Sequence, residues 1–387
     1  MAGKQAGREH LPANELGAST VAVRGGYEPA VGEGVSPPMY LTSTFYHPIN
    51  PDPNVLPYSY GRDRSPAFEP IEQTIADLEG GKYALTFNSG MSAAIPLLFE
   101  AQPGTALVMP QDCYFGIRVY AETEVAPKGV EVRLVDQTDL AAVERALDGA
   151  SFFWTETPTN PYLSVADLEA IGRLCAAAGV PWATDNTFAS PILQNPLEWG
   201  ATAVMHSVTK YIGGHSDLVM GAVVTNDEAL YGRLRGYRGK NGTQPDGFGT
   251  WLARRGAQTL AIRVRQQASS AFEIAKRLQA HPYVTKVYYP GLPDHPGHEI
   301  AKKQMKGGFG GMLSFEINGG EEQAEAVINA CRIWMPATSL GSVESLIERR
   351  ARWTGEVAGP GLIRLSVGIE ELDDLWHDLE RALLAAG

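Results

Sequence analysis

Between residues 66 and 256 one pattern recurs: a short apolar run, a turn rich in Gly, Pro or hydroxyl residues, then a segment of helical periodicity. The apolar runs predict strands at 84–87, 105–109, 130–135, 151–155, 180–184, 203–208 and 219–225. Helices are predicted at 91–100 and 140–147, and where Ile71, Ile75 and Leu78 share a face closed by Gly80 and Gly81. Strands without a polar side must be covered on both faces, which means an α/β fold with a mostly parallel sheet. Ligands of such sheets bind beyond the carboxyl ends of the strands.

The flanks read differently. Residues 1–65 are rich in Gly and Pro and lack periodicity, yet hold Tyr27, Tyr40, Phe45, Tyr46, Tyr58 and Tyr60. Disordered segments are poor in aromatics, so this stretch is expected to be an extended arm packed on a neighbouring subunit. A helical stretch at 248–280 leads into strands at 284–289, 312–317 and 362–367, interleaved with helices at 298–305, 321–331 and 372–386. The expected organisation is an arm (1–65), an α/β domain (66–256) and a smaller α+β domain (257–387).

A net charge of −12 argues against nucleic acid or an anionic membrane as partner. No apolar run approaches the roughly 20 residues of a membrane span, and no secretory leader is recognisable. Cys113, Cys175 and Cys331 lie too far apart for a disulfide framework or a zinc site. No metal is expected, and a cytoplasmic location is.

Five strand ends hold residues suited to chemistry, each with a plainer alternative. The run 203–217 ends in Ser207, Thr209 and Lys210 before Gly213 and Gly214. This lysine is either a solvated loop charge or a pocketed amine whose desolvation makes it nucleophilic. Ser89, Gly90 and Met91 lie where strand meets helix, an ordinary turn or an anion cradle of free N–H groups. Asp185 ends an apolar strand, as a helix cap or as the partner of a protonated ring nitrogen. Asn160 sits in a turn bracketed by prolines, and Tyr114 stands where an aromatic can stack on a planar ligand or cap the core. Arg364 interrupts an apolar strand, so it pairs internally or with a substrate carboxylate. Neither a Rossmann fingerprint nor a Walker loop is present. Taken together the inventory is what pyridoxal phosphate and an amino-acid substrate require.

From about residue 58 onward the chain resembles the Cys/Met metabolism family of pyridoxal-phosphate enzymes, the trans-sulfuration enzymes. The motifs are Tyr60-Gly-Arg62, Ser89-Gly-Met91, Glu156-Thr-Pro-Thr-Asn-Pro161, Asp185-Asn-Thr187, Ser207-Val-Thr-Lys210-Tyr-Ile-Gly-Gly-His215, Ser339-Leu-Gly341 and Arg364-Leu-Ser-Val-Gly368. The resemblance implies an aspartate-aminotransferase-like, fold type I architecture. It implies that Lys210 holds the cofactor as a Schiff base and shuttles protons, while Asp185 keeps the ring nitrogen protonated. Tyr114 would stack on the ring and act as an acid/base, with Asn160 at the ring hydroxyl and Thr187 beneath the ring. Ser89, Gly90, Met91, Ser207 and Thr209 would bind the phosphate, joined by Tyr60 and Arg62 from a neighbouring subunit of a homotetramer. Arg364, Ser339, Asn160 and Thr338 would hold the substrate.

The chain departs from the family pattern on the substrate side. Phe115 and Ile117 follow Tyr114 where small residues are usual, Thr338 precedes Ser339, and Ser65-Pro66-Ala67 replaces Asn-Pro-Thr. The segment Glu348-Arg-Arg-Ala-Arg-Trp-Thr-Gly-Glu356 replaces a His-Pro-containing stretch and resembles a bacterial cystathionine γ-lyase-like branch. The expected reaction is α,γ-elimination from cystathionine or a similar γ-substituted L-amino acid. Alternatives are γ-replacement of O-acyl-L-homoserine by cysteine and expulsion of a non-sulfur group. From another class, a non-catalytic nucleotide-binding α/β protein would have a dispensable Lys210.

Overall fold

Seven strands make the large sheet: β1 (Tyr83–Phe87), β2 (Ala106–Pro110), β3 (Glu131–Val135), β4 (Ala150–Glu156), β5 (Trp182–Asp185), β6 (Ala203–Ser207) and β7 (Gly221–Thr225). The computed structural model describes residues 12–50, 52, 56–353 and 355–386, so Pro51 and Pro53 of the arm and Thr354 of the 348–356 segment lie outside the described residues. Strand order is β1-β7-β6-β5-β4-β2-β3. β7 is antiparallel to β1 and β6, and the other neighbours pair in parallel.

Alternate side chains feed two layers. Leu107, Met109, Phe152, Trp154, Met205 and Val223 pack on one face with the helix Gly90–Leu98. On the other face Val108, Phe153, Trp182 and Val204 pack with the helix Leu168–Ala178, and Ala222 and Val224 with the helix Glu69–Glu79. Both faces are thus apolar for the reason the runs lack polar positions.

Register brings the functional ends level. Phe87 and Ser207 both face Gly221 across β7, Asp185 pairs with Met205, and Glu156 pairs with Asp185. Gly221 is needed there: a Cβ would stand 2.3 Å from the Ser89 carbonyl oxygen and 2.7 Å from Ala93 Cβ. The close approach seats the helix Gly90–Leu98 directly on the sheet. At Gly214 (φ +71°) a Cβ would strike the Arg263 guanidinium at 2.0 Å. Arg263 in turn donates to the carbonyls of Tyr211 (2.7 Å) and Gly256 (2.8 Å), fixing the turn that follows Lys210.

The second sheet comprises β8 (Val284–Tyr288), β9 (Met312–Ile317), β10 (Met335–Pro336), β11 (Leu346–Arg349) and β12 (Leu362–Ser366), in the order β10-β11-β12-β9-β8. Ile363, Leu365, Phe315 and Ile347 face its core with the helices Gly320–Ala330 and Leu372–Ala386. Arg364 points to the opposite face by strand alternation, opposite Glu348 on β11 and Ser314 on β9.

Three expectations change. The stretch 248–280 is two helices, Gly247–Ala257 and Leu260–Gln279, because Thr259 leaves helical geometry (φ −107°, ψ 4°). β10 and β11 were not predicted, being short and set among Ser, Gly and charged residues. The segment 1–65 is not wholly extended: Ala18–Arg24 is a helix with Val21 and Ala22 in the core, held by Arg254 donating to the Val23 carbonyl at 2.9 Å. Beyond it Val31, Tyr46 and Ile49 are each more than nine-tenths exposed. Among the described residues no helix is long and apolar enough to cross a membrane.

Candidate active site

A cavity of about 510 Å³ opens at the carboxyl rim of the large sheet and is closed by Arg364 of β12, by residues 338–340 and by Arg350 and Trp353 just after β11. Ser89, Gly90, Met91, Tyr114, Asn160, Asp185, Thr187, Ser207, Thr209, Lys210, Thr338, Ser339 and Arg364 all line it. Tyr60 and Arg62 do not. They lie against each other on the arm, the guanidinium 5.4 Å from the ring centroid.

The anion cradle follows from helix geometry. Ser89 caps the helix Gly90–Leu98 by accepting from Ser92 N at 3.1 Å, and Ala93 N reaches back to the Ser89 carbonyl. The first-turn N–H groups of Gly90 and Met91 therefore have no acceptor within the helix and, with the positive end of its dipole, suit a phosphate. Ser207 faces them closely; a Cβ on Gly90 would come 3.0 Å from its hydroxyl. Thr209 instead spends its hydroxyl proton on the Met220 carbonyl (3.1 Å) and accepts from Met220 N (2.9 Å). It holds the turn that presents Lys210.

Lys210 Nζ donates to Ser339 Oγ at 2.9 Å. Burial pulls its pKa down to about 8, helped by the charges of Arg364 and Arg350, while Asp185 and Glu348 oppose the shift. Near neutrality about a tenth of such an amine is unprotonated, far more than a surface lysine offers. Ser339 holds this contact from a left-handed backbone (φ +76°), a conformation costly for a non-glycine residue and frequent at functional sites.

Asp185 is buried, and burial raises its pKa; hydrogen bonds from Thr187, then the charges of His206 and Lys210, work the other way. Thr187 N donates to Asp185 Oδ1 at 2.9 Å, and Thr187 Oγ1 accepts from Ser207 N at 2.8 Å, leaving the threonine proton for the carboxylate. A cationic N–H of a ligand is what this partly compensated acid lacks.

Glu156 belongs to the site although sequence reasoning cited it only within a motif. Its carboxylate accepts from Tyr114 N (2.8 Å) and Asn160 N (2.9 Å), holding both lining residues from below. Burial first, and the neighbouring Asp185 second, push its pKa well above the usual range. The signal was available: it ends an apolar strand as Asp185 does.

The small-sheet wall is an ion network. Arg364 donates to Asn160 Oδ1 (2.9 Å), the Ser339 carbonyl (3.0 Å) and Glu348 Oε2 (3.0 Å). Glu348 Oε2 also accepts from Arg350 (2.7 Å) and Glu348 Oε1 from Trp353 Nε1 (2.7 Å), and Arg350 pairs in turn with Glu356. Arg364 thus makes the internal ion pair that was the plainer of its two alternatives, and it also lines the cavity. The basic cluster divides: Arg350 and Trp353 line the cavity, whereas Arg349 and Arg352 turn to Glu321 and Glu325 on the helix Gly320–Ala330.

Residues 19–384 match the family described as Cys/Met metabolism PLP-dependent enzyme. This chain belongs to that family. It is 41% identical over 359 residues to a cystathionine gamma-lyase of Dictyostelium discoideum, covering 89% of this chain and 92% of the relative. It is equally 41% identical, over 379 residues, to a cystathionine gamma-synthase of Mycobacterium tuberculosis, covering 95% and 97%. Among solved structures, a cystathionine gamma synthase from Xanthomonas oryzae pv. oryzae in complex with aminoacrylate and cysteine superposes with a TM-score of 0.91 at 37% identity, over 96% of this chain and 98% of the other. The protein is therefore an enzyme of the trans-sulfuration family, of the fold type I class, and its cofactor is pyridoxal phosphate. Its residues fit that group: two unspent first-turn N–H groups for the phosphate, a buried acid short of a donor, and a desolvated lysine in one cavity.

Proposed function

We propose that the enzyme catalyses α,γ-elimination from a γ-substituted L-amino acid, with cystathionine as the representative substrate. With water the products are a 2-oxo acid, ammonia and the released thiol. The observation that carries the reading is Lys210, an amine with a pKa of about 8 in the same cavity as Arg364 and Tyr114. Bound pyridoxal phosphate supplies an electron sink that makes the substrate Cα–H acidic.

The chain's residues supply the rest. Gly90, Met91 and Ser207 would hold the phosphate, with Ser89 and Thr209 shaping the cradle, and Asp185, supported by Thr187, the ring nitrogen. Arg364 and Ser339 would take the substrate carboxylate beside Asn160 and Thr338. Lys210 would accept the proton from Cα and move the second one from Cβ. The Tyr114 hydroxyl, whose pKa burial raises, stays protonated and would give its proton to the departing sulfur.

Elimination consumes one amino-acid substrate with water, whereas replacement takes a second amino acid after the γ-substituent has left; both place a distal amino-acid group in the cavity. The cationic side chains lining the cavity are Lys210, Arg350 and Arg364, and Arg350 already has two carboxylate partners. The equal likeness to a cystathionine gamma-synthase keeps γ-replacement as a second reading. Incubation with cystathionine alone is expected to yield 2-oxobutanoate. If product instead forms only from O-acyl-L-homoserine plus cysteine, as cystathionine, replacement is the reaction.

We further read residues 1–65 as an arm that reaches a neighbouring subunit of a homotetramer, with 66–256 and 257–387 as the domains. Exposed Tyr46 and Ile49, and the distance of Tyr60 and Arg62 from their own chain's cavity, support an arm that completes a partner's phosphate site. Three free cysteines support a reducing, cytoplasmic setting. Size-exclusion chromatography with light scattering checks the tetramer.

A further inference from the structure

Arg350 and Trp353 form part of one wall of the cavity, and the charge of Arg350 is already spent. Arg350 bonds two carboxylates, Glu348 and Glu356, each almost fully buried. Glu348 is shared with Arg364, so two guanidinium and two carboxylate groups form one closed set. The sum of their charges is zero before any substrate arrives. A substrate α-carboxylate on Arg364 makes the set net negative.

This wall lies on the side of Tyr114. Arg350 and Glu356 are the two charges felt most strongly by the Tyr114 hydroxyl. The loop is also packed there: Arg118, on the helix that follows Tyr114, donates to the Gly355 carbonyl at 2.5 Å, and Gly355 lies against the Phe115 ring. Phe115 and Trp353 add apolar surface to the same cavity. A γ-substituent leaving toward Tyr114 therefore meets aromatic walls and a guanidinium with no charge to spare. An added net negative charge there would lie beside Arg350, whose guanidinium is already neutralised by buried Glu348 and Glu356, so nothing in the wall compensates it.

We propose that the closed Arg364–Glu348–Arg350–Glu356 set makes this enzyme select γ-substituents without net charge and reject anionic ones. The acceptable class includes alkyl thioethers, acetyl esters and the zwitterionic cysteinyl group of cystathionine. Succinyl and phosphoryl esters fall outside it. The inference rests on the reading that Arg364 takes the α-carboxylate.

Binding can be tested without turnover. L-Norleucine and L-2-aminoadipate have the same chain length and no leaving group at Cγ; they differ in a distal carboxylate. Each is titrated into the holoenzyme while the absorbance of the bound cofactor is followed. L-2-Aminoadipate is expected to bind at least about tenfold more weakly, since its distal carboxylate finds no unpaired cation in the wall. Equal or tighter binding of L-2-aminoadipate overturns the proposal. In Glu356→Gln, which keeps an acceptor for Arg350 but drops a charge, the ratio is expected to shrink at least about threefold. An unchanged ratio in the folded variant removes Glu356 from the assignment and overturns the closed-set explanation. Failure of L-norleucine to bind at all overturns the amino-acid site itself, and the restriction with it. Failure of cystathionine to yield a 2-oxo acid refutes the elimination reading while leaving the titration interpretable.

Discussion

The two walls of the cavity are built by different physics. On the large-sheet side, main-chain register does the placing: Glu156, Asp185 and Ser207 end neighbouring strands, and a helix N-terminus sits on Gly221. On the small-sheet side, buried ion pairs do it, with Glu348 shared by Arg364, Arg350 and the Trp353 indole. A register-built wall is hard to change without losing the sheet. A wall built of side-chain pairs can be exchanged piece by piece, which is where this chain departs from its family's pattern.

The largest expected effect tests the register-built side. Lys210→Ala should lower 2-oxo acid production by on the order of 10³-fold or more, the range for a lost proton-transfer group and nucleophile. In the cofactor-free protein the melting temperature should not fall, since the substitution removes a buried amine with a depressed pKa. A variant that kept activity would break the contrast at its root, because the strand end would then be scaffold alone.

Glu348→Ala probes the other side. It leaves Arg364 and Arg350 buried with fewer partners, and breaking a buried pair from one side costs about 3–5 kcal/mol. Denaturant unfolding should show that loss, and Arg350→Met should recover part of it in the double variant. Simple addition of the two losses would mean the network is not one unit.

A smaller effect comes from Gly221→Ala. The new methyl must displace the Ser89 carbonyl, and overpacking of this kind costs about 1–3 kcal/mol. Pyridoxal phosphate affinity should fall about as much as stability, because the same shift moves the phosphate cradle. Equilibrium dialysis of the cofactor checks it.

The pH dependence of Lys210 sharpens the comparison further. Its folded pKa of about 8 lies below the ordinary lysine value, so the neutral amine is populated as pH rises through 8. In the cofactor-free protein its labelling by an amine-reactive reagent should have a midpoint near pH 8, well below the ordinary lysine value. By linkage the folded state gains stability between about pH 8 and the unfolded lysine value near 10.4, and gains nothing from this group below 8. The smallest effect is Arg352→Ala, which removes a half-exposed pair with Glu325 and should change stability by less than about 1 kcal/mol and leave KM alone.

How much of this was legible in the chain depends on how local the signal is. Strand ends are local. An apolar run closing on Asp185 or Lys210 already says that a polar group stands at a sheet rim, and the α/β alternation says on which edge. The same logic reached Ser89, Gly90 and Met91, whose free N–H groups are a property of any helix start. It should have reached Glu156 too, since Glu156 ends its strand in the same way. The helix Ala18–Arg24 was hidden because seven residues carry too little periodicity to stand out from a Gly-rich stretch.

The small-sheet wall was not legible, for a physical reason. Arg349, Arg350 and Arg352 read in sequence as one basic cluster. In the fold Arg349 closes β11 and pairs outward, Arg350 turns into the cavity as the strand ends, and Arg352 returns to Glu325. Arg364 and Glu348 are sixteen positions apart and meet only because β11 and β12 are antiparallel in one register. The sequence by itself therefore determined the sheet, the cofactor it serves and the lysine at its rim, all properties of short stretches. Only the tertiary structure decided which charges line the cavity, because a side chain's partner across a sheet is set by register and not by distance along the chain.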